Sequence, residues 1–226
     1  MLKVKERRQR EKLTQSQEDY LKALYQLREH DRAVSTSELA ARLGVSAASA
    51  AEMLGKLDTL GLVHHDRYRG AALSAVGEGI ALEMIRHHRL IEMYLSQALG
   101  YRWDEVHEEA ERLEHVISEQ MEARIYDALG RPQLDPHGDP IPSLAGELAA
   151  PVYRSLLDVQ RGERVVIRRV SDRDPDKLRA LQELGIALGA ELEVVGESVF
   201  ESPVRVKVSG RRRQVPIGLA RAVYCQ

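Results

Sequence analysis

The apolar residues in the first third of the chain recur with the spacing of helices. In TQSQEDYLKALYQLRE a capping residue, Thr14, with glutamine three residues later, precedes an apolar stripe, so a first helix begins near Thr14. STSELAARLG opens on a second cap at Ser35 and stops at Gly44, and SAASAAEMLGKLDTLG runs from a cap at Ser46 to Gly61. Two helices joined by a short turn that contains glycine are typical of a helix-turn-helix.

The next stretch, LVHHDRYRGAALSAVG, predicts a β-hairpin. Two short extended runs, LVHH and AALS, flank the turn-like DRYRG. A hairpin after a helix-turn-helix is a wing, and Arg67 and Arg69 at its tip can reach phosphates or the minor groove of DNA. The alternative is a solvated turn with no partner.

Later segments predict a helical middle and a β-rich tail. Helical periodicity covers residues 76–98 and 104–129, and RPQLDPHGDPIPSLAGELAAP then predicts a loop or linker. The runs ERVVIRRV, ELEVVGES, VRVKVSG and QVPIGLARAVYC predict a small barrel of about five strands, with a short helix in DPDKLRALQELG. We therefore expect a mainly α chain with small β parts, divided into residues 1–73, 74–150 and 151–226.

Charge follows the same division. Residues 1–73 carry a net charge of +3, residues 74–150 a net of −9 and the remainder a net of +4. A basic N-terminal part can meet phosphate, whereas an acidic middle can hold cations.

Several classes of protein are excluded by composition. The single cysteine, Cys225, excludes an internal disulfide, a cysteine-built zinc site and an iron–sulfur cluster. No apolar run approaches membrane-spanning length, and the opening MLKVKERRQREKL is unlike a signal peptide, so we expect a cytoplasmic protein. Any metal must be held by oxygen and imidazole.

The segment VHEEAERLEHVISEQME, at residues 106–122, combines carboxylates with two histidines. On a helix, the spacings of three and four residues place Glu111, Glu114 and His115 within reach of one point beside an apolar stripe, with His107 on the same sector. Like charges repel there unless a cation neutralises them, which indicates a metal site. A solvated acidic helix face with incidental histidines is the alternative.

Five segments in order resemble the diphtheria-toxin-repressor family of metal-dependent transcriptional regulators. They are the helix-turn-helix, the wing DRYRG, HHRLIE at 87–92, VHEEAERLEH at 106–115 and PHGDPIP at 136–142. The tail resembles the SH3-like domain that longer members carry. The resemblance implies a winged helix-turn-helix, a helical dimerisation domain, an SH3-like β-barrel and a homodimer that metal switches onto operator DNA.

The resemblance also implies ligands. Its primary metal site falls on Asp19, His88, Glu111, Glu114 and His115. Its ancillary site falls on His88, Glu92, His107 and, in the tail, Asp174. Lys177 replaces a neutral ligand there, and this replacement argues against a metal ligand from the tail domain. A metal held both by Asp19 on the first helix and by ligands of the acidic middle would fix the angle between the two parts.

The donor types favour manganese. Iron-type members of the family place methionine and cysteine where this chain has Asp19 and Glu111, and oxygen in place of sulfur favours hard ions such as Mn²⁺, with Fe²⁺ still feasible. Lys22 stands where manganese-type members place a second carboxylate, which favours one ion in that cluster. We expect one Mn²⁺ in the primary site and a second near His88, Glu92 and His107.

Candidate DNA contacts lie on the third helix and the wing. They are Ser46, Ala48, Ser49, Glu52, Arg67 and Arg69. The basic segment from Lys3 to Lys12 either tracks DNA as an arm or extends the first helix as a solvated turn. His64, His65 and His137 lack a helical carboxylate partner at ligand spacing, and we interpret all three as structural.

Two other functions compete with a metal-activated regulator. A carboxylate–histidine metalloenzyme would need Glu-x-x-His or His-Glu-x-x-His spacing, which the chain lacks. A DNA-binding regulator that senses a small molecule or pH would bind DNA equally well after chelation.

Overall fold

The computed structural model describes residues 10–28, 32–149, 151–171, 174–196 and 202–226. The basic segment before residue 10, predicted as an arm or a helix extension, lies outside these residues. The chain forms two compact units. The first comprises Met1–His88, Glu114–Ile117 and Pro142–Leu148, and the second comprises Arg89–Leu113, Ser118–Ile141 and Ala149–Gln226.

Three helices and a hairpin build most of the first unit, and they confirm the predicted winged helix-turn-helix. The helices are α1 (Gln15–Leu27), α2 (Thr36–Leu43) and α3 (Ala47–Thr59), and the antiparallel wing is β1 (Val63–Asp66) with β2 (Gly70–Leu73). The first two helices begin with capping boxes, in which the cap side chain and the side chain three residues later bond each other's backbone N–H. Gly44 ends α2 with a φ of 66°, a conformation that glycine adopts without strain.

The core of the first unit consists of leucines from all three helices and the segment before the wing. Leu21, Leu39, Leu54, Leu57 and Leu62 are fully buried. Burying each such side chain contributes about 1.5–3 kcal/mol, so together they fix how the helices pack.

A glycine joins the wing to the chain segment before α2. Gly70 has a φ of 97°, and a β-carbon there would collide with the carbonyl oxygen of Val34, whose backbone bonds Ala71 in both directions. The wing is thereby tied to α2 at its base.

The acidic middle differs from the prediction. It contains α4 (Ala75–Leu99), α5 (Val106–Leu113) and α6 (Glu119–Ala128), so the helix predicted over 104–129 is two helices. The side chain of Ser118 accepts from the backbone N–H of Met121 and caps a new helix that begins at Glu119. Glu114 and His115 therefore lie in the turn after α5 rather than on a helix.

The tail forms an SH3-like sheet, as predicted, but with six strands rather than about five. In spatial order these are β3 (Arg154–Ser155), β8 (Val223–Cys225), β4 (Arg164–Val170), β5 (Glu191–Gly196), β6 (Val204–Val208) and β7 (Arg211–Val215), each pair antiparallel. A 3₁₀ turn (Leu156–Asp158) and the helices α7 (Pro175–Glu183) and α8 (Ile217–Ala220) connect them. The run QVPIGLARAVYC, predicted to be β-rich, contains the end of β7, α8 and β8, because the backbone turns into a helix after Pro216.

In its described residues, the predicted linker after residue 130 contains no helix, and its segment around Gly138 packs against β4. Gly138, with a φ of 86°, lies so close to the carbonyl oxygen of Arg168 that a β-carbon would collide with it. The carbonyl of His137 accepts from the N–H of Val170 at 2.9 Å. Among the described residues, no helix is both long and apolar enough to cross a membrane.

Candidate metal centres

The first unit brings three of the predicted primary-site residues together. Ligand atoms of Asp19, Glu114 and His115 lie within 4.8 Å of one another. Asp19 comes from α1, and the other two come from the turn that follows α5. Two carboxylates and an imidazole are donors that suit Mn²⁺ or Fe²⁺, so this cluster fits a divalent ion.

Glu114 is the most deeply buried member of this cluster, and two basic side chains surround it. Its carboxylate is fully buried, and the ammonium of Lys22 donates to both of its oxygens at 2.8 Å. The Nδ1 of His88 lies 2.5 Å from the same carboxylate. A buried carboxylate is costly unless it is paired, so the ammonium of Lys22 supplies positive charge that a metal would otherwise provide, and His88 is a further polar partner.

His115 is held between two carboxylates of α1. Its Nδ1 lies 2.7 Å from Glu18, its Nε2 lies 3.1 Å from Asp19, and Glu114 is 3.6 Å away. Burial alone would lower the pKa of His115, but the hydrogen bonds to Asp19 and Glu18 and the charge of Glu114 raise the pKa to about 9. A metal must therefore displace a proton from this imidazole.

Glu18 is a functional candidate that the sequence analysis missed. Besides His115 it contacts the guanidinium of Arg10 at 3.0 Å, and Arg10 also forms an ion pair with Glu83. These opposing charges raise the pKa of Arg10, although its burial acts in the other direction. Glu18 precedes Asp19 directly, and its burial could not be read from α1 alone because it depends on partners far along the chain.

The second unit contains a cluster that was not predicted. Ligand atoms of Glu92, Asp135 and His137 lie within 4.8 Å of one another, and all three residues are buried. His107 joins them, with its Nδ1 3.2 Å from Glu92. The interpretation of His137 as merely structural overlooked this grouping, because its carboxylate partners are not at helical spacing. The motif Asp-x-His in DPHGD was the signal that could have revealed it.

The hydrogen bonds of this second cluster orient its donor atoms. The Nε2 of His137 donates to the carbonyl of Trp103 at 2.7 Å, the kind of contact that fixes the ring of a metal-bound histidine. One oxygen of Asp135 accepts from the N–H groups of His137 and Asp139 at 2.8 and 2.9 Å. Its other oxygen is buried without a hydrogen bond, with Arg89 3.6 Å away.

Asp135 is electrostatically unusual. Burial raises its pKa, and the nearby charges of Glu92 and Asp139 add to this effect, so that the pKa reaches about 8. The carboxyl group therefore holds a proton at neutral pH when no metal is bound. A cation in this position would favour the ionised form and release that proton.

Two further predicted ligands, Glu111 and Asp174, belong to the second unit. Glu111 lies in the second unit, 3.9 Å from the Nε2 of His107. Asp174 caps α7, accepting from the N–H groups of Asp176 and Lys177 at 3.1 and 3.3 Å, and these bonds lower its pKa. Asp174 belongs to none of the clusters of potential ligands found among the described residues.

The candidate DNA contacts are exposed. Ser46, Ala48, Ser49, Glu52, Arg67 and Arg69 all face solvent. At the wing tip, Asp66 accepts from the N–H groups of Tyr68 and Arg69 at 2.8 and 3.0 Å and shapes the turn. Tyr68, which the sequence analysis did not single out, is 92% exposed between the two arginines.

Three protein-family models match successive parts of the chain. Residues 12–71 match the iron-dependent repressor N-terminal DNA-binding domain, residues 74–143 match the iron-dependent repressor metal-binding and dimerisation domain, and residues 154–226 match the FeoA domain.

Individual relatives agree with these matches. The iron-dependent repressor IdeR of Mycobacterium tuberculosis is 30% identical over 225 residues, covering 93% of this chain and 96% of that protein. The diphtheria toxin repressor of Corynebacterium glutamicum is 29% identical over 196 residues, 82% of this chain and 86% of that protein.

Solved structures of manganese-dependent proteins are also similar. A manganese-dependent transcriptional repressor in complex with manganese is 41% identical, with a TM-score of 0.85 over 92% of this chain and 98% of that one. The manganese regulator SloR is 33% identical, with a TM-score of 0.76 over 95% of this chain and 99% of that one.

Proposed function

Because the chain belongs to the iron-dependent repressor family, which includes the diphtheria toxin repressor, we propose that it is a homodimeric repressor that Mn²⁺ activates for binding to operator DNA. The match to a DNA-binding domain supports operator DNA as a partner, and the match to a dimerisation domain supports a second copy of the chain as the other. The genes it controls are those of metal-ion homeostasis. The family consists of transcriptional repressors, which argues against the metalloenzyme alternative.

The donor atoms of Asp19, Glu114 and His115 are the observation that supports Mn²⁺ as the bound metal. Their two carboxylates and one imidazole contain no sulfur, and such a donor set favours Mn²⁺ over softer ions. The similar manganese-dependent structures point the same way, whereas IdeR is an iron-dependent repressor, so Fe²⁺ is the competing ion. We keep His88 and Glu111 as further ligands of this primary site.

The second ion, in this proposal, is bound by the buried cluster of the second unit. Glu92 and His107 were predicted for it, and we add Asp135 and His137 because of their distances, burial and orientation. His88 and Asp174 stay as predicted contributors, although Asp174 must release its bonds to the start of α7 before it can bind a metal.

The chain's own groups account for switching. A bound divalent cation supplies the positive charge that holds several carboxylates at one point. In its absence Lys22 and the imidazolium of His115 supply that charge, and Asp135 keeps its proton. Because these groups must rearrange or lose protons when metal enters, metal binding selects one arrangement of α1 and of the turn after α5. DNA that prefers this arrangement strengthens metal binding in return.

The experiment that tests the function measures DNA affinity of the chelated protein, with and without Mn²⁺, Fe²⁺ and Zn²⁺, at fixed salt. The DNA is the promoter region of the protein's own gene, and the readout is fluorescence anisotropy. We expect a gain of about 100-fold with Mn²⁺, within the range of allosteric coupling. The gain should be lost in Asp19→Asn and kept in Glu108→Gln, which removes an exposed carboxylate of α5.

Two results would contradict the proposal. Equal affinity with and without metal would favour a regulator that senses a non-metal signal. A gain in DNA affinity with Fe²⁺ but not with Mn²⁺ would support activation by metal but identify Fe²⁺ as the activating ion.

A further inference from the structure

The hairpin of β6 and β7 concentrates positive charge that neither metal centre uses. Residues 204–215 contain five basic side chains and no acidic one. They are Arg205, Lys207, Arg211, Arg212 and Arg213. Arg213 is half-buried and the other four are exposed. We call these five side chains the basic hairpin.

The fold places three of these charges on one face of the hairpin, whereas Arg211 and Arg213 pair across the strands with the buried Val208 and Val206. Along β6, buried valines alternate with Arg205 and Lys207, which therefore face away from the core. Ser209 and Gly210, with φ of 48° and 78°, form a tight two-residue turn of the type that holds a hairpin in register. This register sets Arg212 directly opposite Lys207.

Within the described part of the chain, the charges of the basic hairpin are not neutralised by acidic side chains. None of the five forms an ion pair with any residue of the described part of the chain. Glu193, the cross-strand neighbour of Lys207 on β5, is 3.4 Å from Arg164 instead. Like charges directly opposite each other on a sheet are destabilising, so the pair of Lys207 and Arg212 weakens the hairpin when no anion is bound.

Protection of the sheet edge explains only part of this arrangement. β7 is an edge strand, and charged side chains on an edge discourage pairing with other chains. However, Arg205 and Lys207 lie on β6, which is paired on both sides and needs no such protection. Four of the five cations are arginine, whose planar guanidinium matches the oxygens of a phosphate in pairs.

We propose that the basic hairpin binds the phosphate backbone of duplex DNA, as a contact surface additional to the winged helix-turn-helix. This proposal rests on the proposed function for the presence of DNA. The complementarity between the positive hairpin and the negative phosphates supports the contact itself. Binding is independent of base sequence, because phosphates carry no sequence information. An acidic protein surface, such as residues 74–150 of a second copy of the chain, is the other occupant that the charge would fit, and the experiment separates it from DNA.

The test is the salt dependence of DNA affinity. Full-length protein with Mn²⁺ is titrated onto the promoter duplex and onto a scrambled duplex of the same length, over a series of salt concentrations. The variant Arg205→Gln/Arg211→Gln/Arg212→Gln removes three exposed cations and keeps a polar side chain at each position. If each contacts one phosphate, the slope of log affinity against log salt becomes shallower by about 2–3 on both duplexes.

A matched control removes the same charge elsewhere in the second unit. Arg112, Arg131 and Arg154 are exposed and paired with Glu109, Asp127 and Glu163. Their triple glutamine variant should leave the slope within about 1 of wild type, because it removes net charge but no phosphate contact. Unchanged Mn²⁺ stoichiometry and melting temperature establish that both variants are folded.

The results separate this proposal from the proposed function. An unchanged slope in the hairpin variant, or an equal change in the control, overturns the hairpin proposal. A changed oligomeric state with an unchanged slope also overturns it and assigns the surface to a second copy. Failure of Mn²⁺ to raise affinity for the promoter overturns the proposed function instead, while the slopes on the scrambled duplex still decide for or against the hairpin.

Discussion

The acidic clusters of the two units neutralise their charge by different means. In the first unit the buried Glu114 is paired with Lys22 and His88, and His115 has a pKa raised to about 9 by neighbouring carboxylates. In the second unit Asp135 has a pKa raised to about 8, because burial and neighbouring carboxylates disfavour its charge. The first cluster therefore uses internal cations, and the second uses a bound proton.

This difference determines what a metal must displace. In the first cluster an incoming cation competes with the ammonium of Lys22, which is covalently part of the chain and whose concentration never changes, as well as with the proton of His115. In the second cluster it competes with a proton, so its affinity rises as the pH rises. Replacement of the Lys22 ammonium should therefore destabilise the metal-free protein, whereas replacement of the Asp135 carboxyl group should stabilise it.

Replacement of Lys22 should have the largest effect. Lys22→Met leaves the fully buried Glu114 without its main cation, and breaking a buried pair in this way costs about 3–5 kcal/mol. Urea unfolding of the chelated protein measures this loss. Saturating Mn²⁺ should recover much of it, because a ligand that binds the folded state stabilises it.

Lys56→Met is the matched control for this variant. Lys56 forms an exposed pair with Glu52, and its loss should change stability by less than about 1 kcal/mol. Equal effects of the two variants would mean that Lys22 does not neutralise Glu114 in solution.

Asp135→Asn should act in the opposite direction. The free-energy penalty for ionising Asp135 is absent below about pH 4, grows as the pH rises, and is complete above about pH 8, its folded-state pKa. Asparagine keeps an oxygen acceptor and cannot ionise, so the chelated variant should equal wild type in stability near pH 4, exceed it by about 3 kcal/mol near pH 6, and exceed it by more near pH 8.

Mn²⁺ titration supplies a second readout for Asp135. If the carboxylate is a ligand, the variant should bind one equivalent where wild type binds two. Asp127→Asn, which alters an exposed carboxylate of α6, should change neither stoichiometry nor the pH dependence of stability. A variant that is destabilised at every pH would contradict the protonated state assigned to Asp135.

His115 should give the first cluster a pH dependence of its own. Its folded-state pKa lies above the ordinary value of 6.5, so its contribution to stability is complete below about pH 6.5 and is lost as the pH rises to about 9. His115→Gln should remove about 3 kcal/mol at low pH and nothing well above pH 9. Thermal unfolding of the chelated protein across this range measures the difference, and a parallel offset at all pH values would rule out the imidazolium.

The extent to which the sequence predicted this molecule depended on the range of the interactions involved. The winged helix-turn-helix could be predicted because its caps, Thr14, Ser35 and Ser46, bond to atoms three residues away. The break after α5 was missed, although the cap at Ser118 causes it, because the apolar period continues across the break. Local sequence patterns thus predict the presence of a helix or strand more reliably than they predict the residues at which it begins and ends.

The second cluster could not be predicted from spacing because its members come from separate segments. Glu92 lies on α4, whereas Asp135 and His137 lie in a loop that packs on β4 through Gly138. That packing is a tertiary contact with no periodic signal. In contrast, Asp19 and the pair of Glu114 and His115 were proposed correctly as neighbours because a family resemblance, rather than periodicity, linked them.

The smallest predicted effect concerns His107, which belongs to the edge of the second cluster. Its side chain is 25% exposed and its Nδ1 contacts Glu92, so it either binds the metal directly or orients the carboxylate that does. His107→Gln should weaken Mn²⁺ at the second site by about tenfold and leave the first site unchanged, because losses of this size are typical of outer partners of a metal site. Two-site calorimetric titration resolves the two affinities, with His64→Gln on the exposed face of β1 as the control. Weakening of the first site instead would mean that the two clusters do not bind metal independently.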